Sequence, residues 1–162
     1  MDFRFRRMDE PDARAILAWR YEGPYAFYNC DPAEVEASVR TFVEPRNTYY
    51  AIRTAEHGLM GFCCFGPEAR VPGGDYTGDG VLDVGLGMRP DLTGKGIGPG
   101  FVAAILAFAA QELAPSGFRL TVAAFNRRAI RVYEKVGFRV ANVFVRDDAQ
   151  ARREWVQMVR ER

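Results

Sequence analysis

The stretch DVGLGMRPDLTGKGIGPG, residues 83–100, decides how this chain reads. It begins inside an apolar strand, Val81 to Met88, and passes through Gly94-Lys95-Gly96-Ile97-Gly98 into a helix. From Gly94 onward Ile97, Phe101, Ile105 and Ala109 form one stripe at helical spacing. Val102, Leu106 and Leu113 lie beside it, and Pro115-Ser116-Gly117 ends the pattern. Glycines let the backbone turn tightly and bring its N–H groups close to a ligand. A helix start adds unsatisfied donors and the positive end of a dipole. Strand, glycine turn and helix together make an anion site suited to phosphate.

Spacing excludes two familiar phosphate loops. A Walker A loop needs an earlier glycine and a Ser or Thr after Gly-Lys, but Arg89-Pro90 and Gly96 stand at those places. The dinucleotide pattern needs Gly at 99 or 101, where the chain has Pro99 and Phe101. The acidic ribose partner expected some 20 residues on is also missing.

Upstream, residues 3–8 read as a short strand and Asp9 to Trp19 as a helix with Asp9 or Asp12 near its start. Residues 21–32, YEGPYAFYNCDP, form an aromatic ordered loop. Asp31-Pro32 opens a second helix to about Val43. Thr48 to Arg53 and Leu59 to Phe65 read as a hairpin through Glu56-His57-Gly58, followed by a turn-rich loop over 67–80. Downstream, Phe118 to Ala124 is a strand. Asn126 caps a helix that stops at Gly137, and Phe138 to Val145 and Glu154 to Val159 are closing strands. No composition shift divides the 162 residues, so one domain over 1–162 is expected.

Apolar residues make up 48% and charged residues 27%, ordinary for a globular domain. Lys plus Arg is 22 against 21 Asp plus Glu, which gives no reason to expect a nucleic-acid partner. The balance is uneven: residues 117–162 hold 11 basic and 5 acidic side chains, a patch that either attracts a small polyanion or is a solvated face. Cys30, Cys63 and Cys64 lack C-x-x-C spacing, so neither a disulfide framework nor a zinc site follows, and free thiols point to a reducing compartment. No apolar signal core opens the chain and Phe101 to Ala110 is too short to span a bilayer, so a cytoplasmic protein without a membrane partner is expected.

The glycine turn resembles the acetyl-CoA signature of the GNAT superfamily, [Q/R]-x-x-G-x-[G/A]. It reads here Thr93-Gly94-Lys95-Gly96-Ile97-Gly98, with Thr93 where Gln or Arg is usual. A second block, Asn126 to Phe138, resembles the family's N-x-x-A-x-x-x-Y-x-x-x-G-F. The similarity spans about residues 81–139, with the two blocks in the family's order.

That resemblance implies an α/β fold. Its central sheet would be mixed and mostly antiparallel, of about six to seven strands, splayed in the middle and flanked by about four helices. It implies that the splay lies between the strands at 81–88 and 118–124, and that it takes the pantetheine arm of acetyl-CoA against Leu86 to Met88. The pyrophosphate would sit on the N–H groups of Gly94, Lys95, Gly96, Ile97 and Gly98, with Thr93 at the cofactor site's first position, where a side-chain contact is weakened. Asn126 would cap its helix and reach the cofactor arm, and no metal is implied. The activity implied is transfer of an acetyl group to a primary amine by direct attack in a ternary complex. The alternative is a GNAT-fold module that binds acyl-CoA without turnover.

Such a transfer needs a base for the amine, a donor for the developing oxyanion and an acid for the departing thiolate. Tyr133 falls at the family's acid position, though a packed tyrosine reads the same way. An N–H near Met88 is the implied oxyanion donor. Gly85 and Gly87 permit either a bulge or tight packing there. Asp83 matches an acidic strand residue that some branches use as base, with Glu22 a lesser rival; Asp83 reads equally as an Asp that orders the sheet. Lys95, Arg131 and Lys135 either neutralise phosphates or are surface charge. The aromatics Tyr21, Tyr25, Phe27 and Tyr28 either wall the acceptor site or pack. The acceptor is a small-molecule or peptide amine, and a homodimer is left open.

Overall fold

The computed structural model describes residues 1–148 and 151–162. Seven strands form one sheet in the order β1-β2-β3-β4-β5-β7-β6. They are β1 (Arg4–Arg7), β2 (Tyr49–Thr54), β3 (Gly58–Phe65), β4 (Val81–Met88), β5 (Gly117–Ala123), β6 (Arg139–Asp147) and β7 (Arg152–Glu161). Every neighbouring pair is antiparallel except β4 with β5. Among the described residues four helices flank the sheet: α1 (Glu10–Leu17), α2 (Val35–Val43), α3 (Gly98–Leu113) and α4 (Arg127–Lys135).

The helix starts follow from local chemistry. Asp9 caps α1, its carboxylate accepting from the Asp12 N–H at 2.9 Å. Asn126 caps α4 by accepting from Ala129 N–H at 3.1 Å, and Gly137, at φ 96°, closes that helix in the left-handed region. Pro32–Glu34 make a 3-10 turn before α2 begins, so the expected second helix is shorter than its sequence pattern. The start of α3 also moves. Gly94 and Gly96 have φ of 72° and 79°, which a right-handed helix cannot hold, so α3 begins at Gly98.

The main core packs α3 and α4 on one face of the sheet, around Phe101, Ile105, Phe118, Ile130 and Met158. Leu113 leaves the apolar stripe, being 49% exposed at the last turn of α3. A second core lies under α1 and α2, with Ile16, Leu17, Val39 and Tyr49. Cys63 belongs to the first and Cys64 to the second, as strand alternation requires. No described helix is long and apolar enough to cross a membrane.

The sheet opens in its middle. β4 and β5 pair only as Val81↔Gly117, Leu82↔Phe118 and Asp83↔Arg119. Beyond Asp83, β4 stays with β3 to Met88, while β5 stays with β7 to Ala123. Past that point the two parallel strands no longer pair, and between them lies a V-shaped gap.

Candidate active site

The gap holds a cavity of about 690 Å³, lined on one side by Val84 to Met88 and on the other by Leu120 to Ala123. Strand geometry decides which backbone groups face into it. Arg89 N–H donates to Met60 of β3 at 2.8 Å, so Arg89 points toward β3. The pleat alternates. Met88 therefore points the other way, and so does Leu86 two residues before it. The side chain of Tyr21 confirms the direction for Met88 by donating its hydroxyl to the Met88 carbonyl at 2.6 Å. An extended residue aims its N–H and C=O to the same side, so the Leu86 and Met88 N–H groups face the gap. Gly85 and Gly87 make no bulge. A Cβ on Gly85 would lie 2.7 Å from Cys64 Sγ, and one on Gly87 would lie 2.3 Å from the Phe62 ring. They are packing glycines, and the register with β3 is unbroken there.

At one end of the cavity lie Thr93, Gly94, Gly96 and Gly98, with Arg128, Arg131 and Lys135 from α4 opposite. Gly94 and Gly96 hold conformations that other residues adopt at a cost of roughly 1–2 kcal/mol, and a Cβ on Gly96 would meet nothing within 4 Å. Gly98 is needed for another reason: its Cβ would come within 2.9 Å of Val132, so glycine lets the start of α3 approach α4. The loop, the helix start and three cations form a cradle for an extended polyanion such as the phosphates of a CoA thioester. Of the residues expected here, Lys95 is exposed and off the cavity wall, and Ile97 packs against the main core. Thr93 keeps its hydroxyl on the Pro90 carbonyl at 2.7 Å. Arg128, whose guanidinium stacks 4.3 Å from the Tyr25 ring, had no sequence signal beyond the basic excess after Gly117.

Tyr133 lies on α4, is 8% exposed, and lines the cavity where α4 faces β5. Its ring packs edge-on against Phe138 at 6.1 Å. Among the described residues none hydrogen-bonds its hydroxyl, and burial raises its pKa well above the ordinary tyrosine value. It keeps its proton at neutral pH, on a side chain that lines the cavity. The Tyr28 hydroxyl lies close enough to add to that shift, and it accepts from Asn126 Nδ2 at 3.1 Å.

Asp83 has a setting that its place in the sequence does not announce. It is 2% exposed and does not line the cavity. Arg119 donates from Nε to Oδ1 at 2.6 Å and from a terminal nitrogen to Oδ2 at 3.1 Å, and Arg70 Nε donates to Oδ2 at 2.9 Å. Both oxygens are occupied, and the carboxylate sits at the vertex of the V rather than beside Tyr133. Arg119 also reaches the Thr77 carbonyl at 2.7 Å, and both guanidinium groups lie within 5.4 Å of the Tyr76 ring. The loop over 67–80 is thereby tied to the point where the sheet divides. Glu22 is exposed at the start of a 3-10 turn, Gly23–Tyr28, and also stands off the cavity.

The far end of the cavity is aromatic and apolar. Tyr21 and Tyr28 of the expected aromatic group line it, while Tyr25 lines the cavity beside the cradle, 4.3 Å from the Arg128 guanidinium. Phe27 instead packs between Phe125 and Trp155 at 6.0 and 5.9 Å, with Arg153 over its face at 3.9 Å. Trp19, Phe42 and Phe62 complete that end, none of them singled out by the sequence pattern.

Comparison with known proteins agrees with this architecture. An acetyltransferase (GNAT family) from Bacillus anthracis superposes with a TM-score of 0.75 at 18% identity, covering 99% of this chain and 95% of that one. A spermidine N-acetyltransferase chimera from Vibrio cholerae and hSSAT gives 0.73 at 17% identity over 99% and 96%. AAC(6')-Ib in complex with ribostamycin and coenzyme A gives 0.73 at 19% identity over 100% and 94%. At such identities these likenesses establish the fold. No curated protein matches the chain by sequence. The profile of the acetyltransferase (GNAT) domain, however, matches residues 2–139, which contain β4 and β5 on the two sides of the gap, the glycine turn and Tyr133. By that match over most of its length, the chain belongs to the GNAT acetyltransferase family.

Proposed function

We propose that this protein transfers an acetyl group from acetyl-CoA to a primary amine by direct attack in a ternary complex. The observation that carries the reading is Tyr133: 8% exposed, lining the cavity, and with a hydroxyl that hydrogen-bonds none of the described residues. Acetyl-CoA supplies the activated acyl thioester. The chain's own residues do the rest. Gly94, Gly96 and Gly98, with Arg128, Arg131 and Lys135, hold the phosphates. The gap-facing backbone of Leu86 and Met88 pairs with the pantetheine amides and offers the Met88 N–H to the carbonyl oxygen. The neutral amine nitrogen forms the new bond to the acyl carbon and gives its surplus proton to solvent water, the carbon–sulfur bond breaks, Tyr133 Oη gives its proton to the departing sulfur, and the phenolate left behind regains one from solvent. Asn126 holds the end of α4 in place and keeps Tyr28 beside Tyr133. Asp83 serves this chemistry indirectly, by closing the vertex from which the two strands diverge.

Tyr133→Phe tests the reading. The change deletes a hydroxyl that bonds nothing in the described structure, so folding and CoA affinity persist. General-acid help is worth about 10²–10⁴ in rate, so kcat falls by that order when thiolate departure limits turnover. The loss shrinks with a thioester whose leaving thiol is more acidic. Full activity in a folded Tyr133→Phe protein overturns the assignment.

A further inference from the structure

The acceptor end of the cavity carries a chemical preference. Its wall is built by Ile16 and Leu17 of α1, Phe42 of α2, Phe62 of β3, and Trp19 and Tyr21 after α1. Its polar groups are few and mostly engaged. The Tyr21 hydroxyl is spent on the Met88 carbonyl, and the Cys30 thiol is turned toward the Asp31 carbonyl at 3.4 Å. Among the described residues no Asp or Glu lines the cavity anywhere, and its charged lining residues are Arg128, Arg131 and Lys135.

Resting on the transferase reading above, we infer that the acceptor is an amine with one positive charge and a hydrophobic, preferably aromatic, body, and not a polycation. The physical reason is desolvation. An apolar chamber gains from each buried methylene or ring face. A second or third ammonium taken into it would lose its water and meet no carboxylate. Aromatic faces can steady one ammonium, the one whose nitrogen reacts. They cannot serve a string of them, and the cations at the cradle end repel any that reach further. The amine nitrogen lies toward Met88 and Tyr133, and the hydrophobic body points away, toward Trp19, Phe42 and Phe62. The acceptors named for two similar folds, spermidine and an aminoglycoside, are of the opposite kind.

The test pairs binding with turnover. The protein has two tryptophans, Trp19 and Trp155, and both line the cavity, so intrinsic fluorescence reports its occupancy without acetyl-CoA. Phenethylamine and hexylamine are titrated against spermidine and kanamycin, and the same four are assayed by thiol release with acetyl-CoA. The expected result is half-saturation at lower concentration for the hydrophobic monoamines, and a kcat/KM advantage of at least about tenfold, the scale at which an apolar pocket separates substrates. Trp19→Ala raises KM for phenethylamine by a larger factor than it raises that for spermidine. Tighter binding or faster turnover of spermidine or kanamycin overturns the inference and leaves the transferase reading intact. So does an equal loss for both amines in Trp19→Ala. Indifference among amines, with hexanoyl-CoA preferred over acetyl-CoA, assigns the chamber to an acyl chain and also overturns it. Selective quenching by phenethylamine with no amine acetylated supports the chamber's preference and defeats the transferase reading alone.

Discussion

Arg119→Met is the perturbation that separates a structural vertex from a catalytic carboxylate. Methionine keeps much of the length of the side chain and removes its charge and donors. Arg119 is 6% exposed and Asp83 is 2% exposed, so the variant leaves a buried carboxylate with part of its compensation gone. Removing one partner of a buried pair costs about 3–5 kcal/mol. Arg70, half exposed, still donates to Oδ2 at 2.9 Å, which sets the expectation at the lower end. The bond to the Thr77 carbonyl and the stacking on Tyr76 are lost as well, so the total stays near that value. For a domain of this length each kcal/mol moves the melting point by about 2–4 °C, so a fall of about 6–12 °C is expected. Replacing both partners, Asp83→Leu with Arg119→Met, recovers part of the loss, because no unpaired charge then remains. Thermal and denaturant unfolding give the stabilities, and transfer rates per folded molecule give the chemistry. Asp83→Asn lowers stability while the amine-transfer rate of the folded fraction and its pH profile stay near wild type. An Arg119→Met protein that melts within about 2 °C of wild type refutes the clasp. A stable Asp83→Asn protein with a collapsed rate and a shifted pH–rate profile returns the carboxylate to the role of base.

The other expectations are simpler. Gly96→Asn and Gly96→Asp place side chains of similar size into open space at a left-handed φ, so calorimetry should show a much larger loss of CoA affinity for Asp, whose charge faces the phosphates. Equal affinities would move the phosphate site elsewhere. Gly98→Ala, whose Cβ meets Val132 at 2.9 Å, should lower stability by about 1–3 kcal/mol in chemical unfolding, with recovery when Val132→Ala is added. A lack of recovery would show that the two helices do not meet there. In the native protein at pH 8 a thiol reagent should modify Cys30 and spare Cys63 and Cys64, whose pKa values burial pushes up, that of Cys64 to about 12. Those raised values add stability that is complete below the unfolded thiol value and is lost as pH climbs toward 12. Rapid labelling of all three thiols would contradict that burial.

Much of this protein was legible along the chain because it depends on near neighbours. Asn126 caps α4 through an N–H three residues away, and Gly137 stops it by its own backbone freedom. Alternation sent Cys63 and Cys64 to different cores, and the two blocks at Thr93 to Gly98 and Asn126 to Phe138 pointed to the family and to a divided sheet. Tertiary structure alone decided the rest. Nothing near Asp83 in sequence says that Arg70, 13 residues before it, and Arg119, 36 residues after it, would occupy both its oxygens. The acceptor chamber is assembled from α1, α2 and β3, and Tyr21 reaches Met88 across 67 residues. Local conformation follows from backbone sterics and hydrogen bonds within a few residues. Which charges become buried together, and which apolar side chains face one cavity, follows from how distant strands pair. Here it follows from β4 holding to β3 while β5 holds to β7.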